Sequence, residues 1–268
     1  DMEETEEMTA DRLRRESMLA VSEFAAKFFT DNLFNTSAGR AIGLSYFKER
    51  RGFTDETIRK FGLGYSPASK PFVQSEDHVP TLFEAAQKSG FKKEYLVSTG
   101  LCFEHNGGRV LDKFYERVMF PIHSLSGRVI AFGGRTLRED KSVAKYMNSP
   151  ESEIYHKSNS LYGIFFAKSA ISRLQKCYLV EGYTDVISMH QAGIENVVAS
   201  SGTSLTVEQI RLIRRFTNKV TVLYDGDAAG IKASLRGIDM LLEEGLEIKV
   251  VLLPDGEDPD SFARSHSA

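Results

Sequence analysis

The run Tyr224-Asp225-Gly226-Asp227 follows residues 220–223, a short β-branched stretch of the kind that forms a buried strand. Two aspartates separated by one glycine offer hard oxygen donors that can converge on a divalent cation. The pattern recurs twice. Residues 177–180 run into Glu181-Gly182-Tyr183-Thr184-Asp185, and residues 248–253 are followed by Asp255-Gly256-Glu257-Asp258-Pro259-Asp260. Open α/β sheets gather their ligand sites at the carboxyl ends of strands. Three acid-terminated strands therefore suggest a metal centre for phosphate chemistry, with carboxylates holding cations that neutralise phosphate charge. Asp225 and Asp227 would share one mouth, and Glu181 would come alongside as a third ligand or proton acceptor. Asp185, one helical turn beyond Glu181, would face the same cleft. Each piece also has a structural alternative: Asp-Gly is common turn chemistry, Asp227 can cap a helix starting at Ala228, and Asp258-Pro259 can simply open a turn.

A second set of candidates is basic. From Arg109 to Lys176, twelve Lys/Arg stand against six Asp/Glu, in a chain whose net charge is −3. A basic middle beside acidic strand ends suits either a nucleic-acid track leading to a metal centre or a solvated mixed surface, and charge alone leaves both open. Lys145, Lys157 and Arg135 are either phosphate contacts or solvated surface residues. The small-residue run Ser200-Ser201-Gly202-Thr203-Ser204 either approaches a phosphate or simply connects two elements. Histidines show no ligand spacing. Cys102 and Cys177 stand alone, without a CxxC, which argues against a disulfide framework or a structural zinc site and for a reducing cytosol. No apolar run approaches the roughly 20 residues of a membrane span, and the acidic start resembles neither a signal nor a transit peptide.

The elements that must position these residues are also legible. Over 175–268, strand and helix patterns alternate: strand 177–180, helix 185–192, strand 196–199, helix 207–216, strand 220–223, helix 228–242 and strand 248–253. Such alternation implies crossovers and a parallel sheet flanked by helices, an α/β arrangement. Thr206 and Gln209 form a capping box for the second helix, whose Val207, Ile210 and Ile213 point one way. Ile231, Leu235, Ile238 and Leu242 are expected to do the same in the third. Residues 109–174 form a basic β-hairpin and loop region, with strands 117–122 and 128–132 joined by a Gly-containing turn and a loop-rich stretch through 145–150. Residues 1–108 are mainly helical: Leu19, Phe24, Phe28 and Phe29 share a face, short helical patterns over 41–61 are broken by Gly43, Gly52 and Gly62, residues 66–71 are loop, and weak helices follow at 82–89 and 93–98.

The acidic strand ends resemble a Toprim domain, whose pattern is a glutamate after the first strand and a DxD after the third, here Glu181 and Asp225/Asp227. The neighbours narrow this. Glu181-Gly-Tyr-Thr-Asp185, Tyr224-Asp-Gly-Asp-Ala-Ala-Gly230 and Leu253-Pro-Asp-Gly-Glu-Asp-Pro-Asp260 are similar to bacterial DnaG-type primases. So are Arg117-Val-Met-Phe-Pro-Ile122, Phe132-Gly-Gly-Arg135, Lys145-Tyr-Met-Asn-Ser-Pro150 and His156-Lys157 with Leu161-Tyr-Gly163. The resemblance implies a Toprim-type parallel sheet preceded by an α+β part, helical and β-hairpin, that carries the basic residues. It also implies a nucleotidyltransferase making short RNA primers on single-stranded DNA from ribonucleoside triphosphates, in the bacterial cytoplasm at the replication fork. Glu181, Asp225 and Asp227 would hold Mg²⁺ or Mn²⁺, in a two-metal arrangement, with Asp185, Asp258 and Asp260 as further acids. Lys145, Lys157, Arg135, Arg117 and Asn148 would contact nucleotide or nucleic acid. Two cysteines cannot build the family's zinc-binding domain, and its helicase-binding C-terminal domain is expected outside this chain. The same acids would serve a Toprim nuclease or a non-enzymatic DNA-binding module. An aspartate-nucleophile phosphatase usually has Thr or Val soon after the second aspartate, where Ala228-Ala229-Gly230 stands here.

Overall fold

The computed structural model describes residues 6–68, 78–202, 204–224, 228–254 and 256–266, with 228–234 described by backbone only. Helix α1 (Glu6–Asn35) starts with Glu6 and Glu7 at its positive end, where carboxylates are favoured. Its buried stripe is Met18, Val21, Ala25, Phe29 and Leu33, at helical spacing. Phe24 and Phe28, expected on the same face as Phe29, flank that stripe half-buried. Residues Gly39–Leu44 and Tyr46–Arg50 wind with wider π-helical turns, so Gly43 is interior and does not break the pattern there. Gly52 and Gly62 do end elements, with φ of 69° and 64°.

Helix α2 (Asp55–Lys60) leads to strand β1 (Gly64–Ser66), which the sequence reading missed. The loop read over 66–71 thus begins after Ser66, and its residues 69–71 lie outside the described residues. Helices α3 (Leu82–Lys88) and α4 (Lys93–Ser98) fall where the weak patterns put them. Thr81 and Glu84 form a capping box on α3, and the Asp112 carboxylate takes the N–H groups of Leu82 at 2.7 Å and Phe83 at 3.0 Å, so the first donors of α3 are satisfied. Burial pushes the Asp112 carboxyl and the neighbouring Cys102 thiol upward, which makes that thiol an inert packing group.

Strands β2 (Cys102–His105) and β3 (Arg109–Asp112) pair antiparallel, and β4 (Arg117–His123), β5 (Val129–Thr136) and β6 (Tyr146–Asn148) join β1 in a sheet ordered β1-β4-β5-β6. The expected hairpin is β4–β5. Its turn is closed by the Gly127 N–H on the Ser124 carbonyl at 2.9 Å. Strand β6 stands where the sequence pattern predicts loop, because three residues carry no period of their own. A core of Val21, Ala25, Phe29, Leu82, Leu96, Phe114, Met119 and Phe132 fills this part, with Phe29 and Phe132 edge-to-face at 5.3 Å.

The last part begins with α5 (Ile164–Leu174) and alternates β7 (Cys177–Val180), α6 (Tyr183–Gln191), β8 (Val197–Ala199), α7 (Val207–Arg214), β9 (Lys219–Tyr224), α8 (Ala228–Glu243), β10 (Glu247–Leu252) and α9 (Pro259–Ser265). Every pairing in its sheet, ordered β10-β9-β7-β8, is parallel, as the alternation implied. The Thr206–Gln209 capping box is present, each hydrogen bond at 3.1 Å, and Ile210 and Ile213 are fully buried. The face expected on α8 is corrected: Leu235 and Leu242 are exposed, Leu241 and Ile238 pack on the core, and the side chain of Ile231 lies outside the described residues. The buried stripe is rotated because the sheet beneath the helix, and not the helix's own periodicity, chooses between neighbouring apolar rows.

By packing, Asp1–Arg50, Ile58–Ile122 and Arg128–Tyr155 form one unit and Arg51–Thr57, His123–Gly127 and His156–Ala268 a second. Among the described residues no helix is long and apolar enough to cross a membrane.

Candidate active site

Strand β7 lies between β9 and β8, so its carboxyl end opens in the middle of the parallel sheet, the position that open α/β sheets use for ligands. Glu181 follows β7 directly and is exposed. Its carbonyl accepts the Ser201 N–H at 3.1 Å, and the Val180 carbonyl accepts the Ser200 N–H at 3.4 Å, so the loop after β8 is laced to the loop carrying Glu181. Ser201 holds φ at 60°, a region non-glycine residues enter rarely, and its buried Oγ has no hydrogen-bond partner among the described residues. Thr203 of that loop lies outside the described residues.

Asp185 sits in the first turn of α6. One carboxylate oxygen accepts the Gly182 N–H at 3.1 Å and the other the Asp260 N–H at 3.0 Å. Burial first, then the charge of Asp258, pushes its carboxyl up to about 7, against the pull of those two N–H donors. Asp258 caps α9 through the Ser261 N–H at 2.7 Å and is half-buried. Asp260, expected as a further acid of the site, is buried. It is 1% exposed, with Arg51 and Arg264 as ion-pair partners and the Ser188 hydroxyl donating to it. Arg51 and Ser188 were missed in the sequence. Arg51 lies in a charged run that reads as solvated surface, and Ser188 is an ordinary helix residue.

Asp225 and Asp227 follow the last residue of β9 but lie outside the described residues. Among the described residues no three Asp, Glu, His or Cys side chains cluster as a metal site. The chemistry of the acids that are described fits a hard cation nonetheless: Glu181 and Asp258 are carboxylates with access to solvent at one end of the sheet, the donor type Mg²⁺ and Mn²⁺ select.

The basic candidates of the first unit line β5 and β6. Arg135 pairs across from Tyr146, and its guanidinium lies 4.8 Å from the ring centre of Tyr46 and 5.9 Å from that of Tyr146. It is 8% exposed, and its Nε has no hydrogen-bond partner among the described residues. Tyr46 and Tyr146 were not singled out from sequence, since neither spacing nor composition distinguishes them. Lys145 is exposed, and Asn148, opposite Gly133, is half-buried. Arg117 is 4% exposed and donates to the carbonyls of Gly134 at 3.3 Å, Ala144 at 2.9 Å and Lys145 at 3.3 Å. The structure gives it an internal task, fastening the segment that ends in Lys145 to the sheet, where the sequence reading had it touching nucleic acid. In the second unit Lys157, half-buried, opens a 3₁₀ turn whose carbonyl accepts the Gln209 amide at 3.3 Å.

A family model described as the DNA primase catalytic core, N-terminal domain, matches residues 28–168, and one described as Toprim-like matches residues 178–263. The DNA primase of Halalkalibacterium halodurans is 43% identical over 254 residues, covering 94% of this chain and 40% of its own, and that of Escherichia coli K12 is 37% identical over 257 residues, covering 95% and 42%. The chain thus spans about two fifths of the length of these relatives. Among solved structures, the zinc-binding and RNA polymerase domains of the Aquifex aeolicus primase superpose with a TM-score of 0.83 at 36% identity, covering 94% of this chain and 58% of that one. A DnaG primase catalytic domain bound to single-stranded DNA superposes with a TM-score of 0.81 at 34% identity, covering 96% and 79%. A Toprim-like domain in this setting implies use of a divalent metal ion. Two adjoining family matches in order, on a fold shared with solved catalytic cores, establish that this chain belongs to the DnaG-type DNA primase family, within its catalytic core.

Proposed function

We propose that the chain is the catalytic core of a DNA primase, a DNA-directed RNA polymerase that makes short RNA primers on single-stranded DNA from ribonucleoside triphosphates. The observation that carries this reading is the exposed Glu181 at the carboxyl end of the central parallel strand β7, in a chain of the primase family. Glu181, Asp225 and Asp227 would hold Mg²⁺ or Mn²⁺, with Asp258 as an accessory acid. The ions, when bound, supply charge neutralisation on the triphosphate and activation of the attacking hydroxyl. Asp185 holds its helix entry, and with it the peptide after Glu181, in place. Lys145 and Lys157 are assigned to phosphates, Arg135 and Asn148 to the template strand, and Arg117 to holding the Lys145 segment in position. For the whole protein this implies single-stranded DNA, the growing primer and the replicative helicase as partners, at the replication fork in the bacterial cytoplasm.

The test is one gel carrying end-labelled single-stranded DNA and labelled ribonucleotides with the protein and Mn²⁺. New short RNA is expected; shortened DNA without RNA would turn the reading to a nuclease. A separate outcome concerns the basic residues. Lys145→Ala should leave stability within about 0.5 kcal/mol, since the side chain is exposed, and lower single-stranded DNA affinity with a salt slope reduced by about 0.7. Arg135→Ala should weaken binding too, and also lose the packing between Tyr46 and Tyr146. Titrations at two salt concentrations decide, and an unchanged slope for Lys145→Ala removes it from the track.

A further inference from the structure

The acids of the site differ in what surrounds them. Asp260 belongs to the first turn of α9, after the cap Asp258 and after Pro259. One oxygen of its carboxylate takes the Arg51 guanidinium. The other takes the Ser188 hydroxyl and, at 3.3 Å, Nε of Arg264. A carboxylate has about four lone-pair sites. Three donors, two of them cationic, leave little of it for a metal ion, and with 1% exposure it has no direct access to solvent. Burying a carboxylate without such partners would be strongly unfavourable, and the two arginines offset that cost.

The same residue reaches the metal-facing side through its backbone. The Asp260 N–H donates to Asp185, and Asp185 accepts the N–H of Gly182, the residue after Glu181. At its far end α6 is tied as well: the Gln191 amide donates to the Gly52 carbonyl at 2.9 Å and accepts the Thr54 N–H at 2.9 Å. Helix α6 is therefore held at its start through Asp185, in its middle by Ser188 and at its end by Gln191, against α9 and the segment 51–54.

We propose that Asp260 is a positioning residue of the acidic site and not one of its metal ligands. Clamped by Arg51, Arg264 and Ser188, it fixes Asp185 and thereby the peptide that carries Glu181. This rests on the reading of Glu181 as a metal ligand and separates two aspartates that lie two positions apart in one motif.

The test is hydrogen exchange at the Gly182 amide, followed by NMR in metal-free protein, with Mn²⁺ affinity measured by calorimetry. Asp260→Asn is expected to speed Gly182 exchange about tenfold and to weaken Mn²⁺ binding by a similar factor, because the support of Asp185 loosens before any metal arrives. Ser188→Ala removes one donor and no acid, and should move both readouts about threefold in the same direction. If metal-free Gly182 exchange stays unchanged in Asp260→Asn while Mn²⁺ affinity falls, the residue acts as a ligand and the proposal is overturned. Should Asp260→Asn fail to fold, unchanged Gly182 exchange in Ser188→Ala overturns it equally. Glu181→Gln separates this from the underlying reading: unaltered Mn²⁺ affinity there removes the metal-centre assignment, and the exchange result on Asp260 stands or falls by itself.

Discussion

Glu181→Gln is expected to lower primer synthesis by about a thousandfold, roughly 4 kcal/mol of transition-state stabilisation, while leaving folding stability nearly untouched. The substitution keeps size and shape and removes one negative charge. In the proposed role of metal ligand, Glu181 without its charge would hold the cation weakly and in the wrong place, so the charge developing on the phosphates would go unneutralised. Glu181 is exposed and follows the strand end, so the fold gains little from its charge, and urea unfolding should shift by no more than about 0.5 kcal/mol. Incorporation of labelled ribonucleotide, read beside the unfolding curve, checks both halves. Synthesis within threefold of the parent would remove Glu181 from the site.

A large effect on stability is expected at Gly64. Strand β1 lies so close to α1 that a Cβ at this position would stand 2.5 Å from Cβ of Phe29, and 2.7 and 2.9 Å from its backbone carbon and oxygen. A flexible side chain can swing aside, but the backbone of a long helix cannot. Gly64→Ala must therefore push α1 and β1 apart, and with them the Phe29–Phe132 contact at 5.3 Å. A loss of about 3 kcal/mol follows, at the upper end of ordinary overpacking, with a fall in Tm on the order of 6–12 °C. Gly237, inside α8, gives the opposite sign. A Cβ there meets side-chain atoms only at 3.8 Å and beyond, so Gly237→Ala should stabilise by about 0.5–1 kcal/mol through helix propensity. Urea denaturation of the two variants compares them directly; equal effects would mean that backbone proximity at Gly64 is not the controlling term.

Much of the α/β part was legible because its signals are local. Thr206 and Gln209, three apart, announce the start of α7, and both hydrogen bonds of the box are present. The β-branched runs ending at Val180 and Tyr224 announce β7 and β9, and their lengths with the helices between imply parallel pairing. The misses share a cause. Strand β1 and strand β6 are three residues each, too short for alternation to register, and exist only because β4 and β5 offer free edges. On α8, rows containing 235 and 242 or 238 and 241 have equal claim to a helical period. Burial of Leu241 was settled by the sheet it lands on.

The site divides along the same line. That acids stand at the ends of strands follows from order along the chain, since each is within a few residues of a strand that local pattern can identify. Which acid meets solvent does not follow. Glu181 and Asp260 both read as acids of the site, yet Glu181 is exposed and Asp260 is enclosed by Arg51, a residue 209 positions away. Likewise Arg135 and Arg117 read alike as basic track, and packing sets one near two tyrosine rings and ties the other to backbone carbonyls. A side chain's charge belongs to the residue, but its dielectric surroundings and partners belong to the packed chain. Those partners come together only when segments far apart in sequence share one interior.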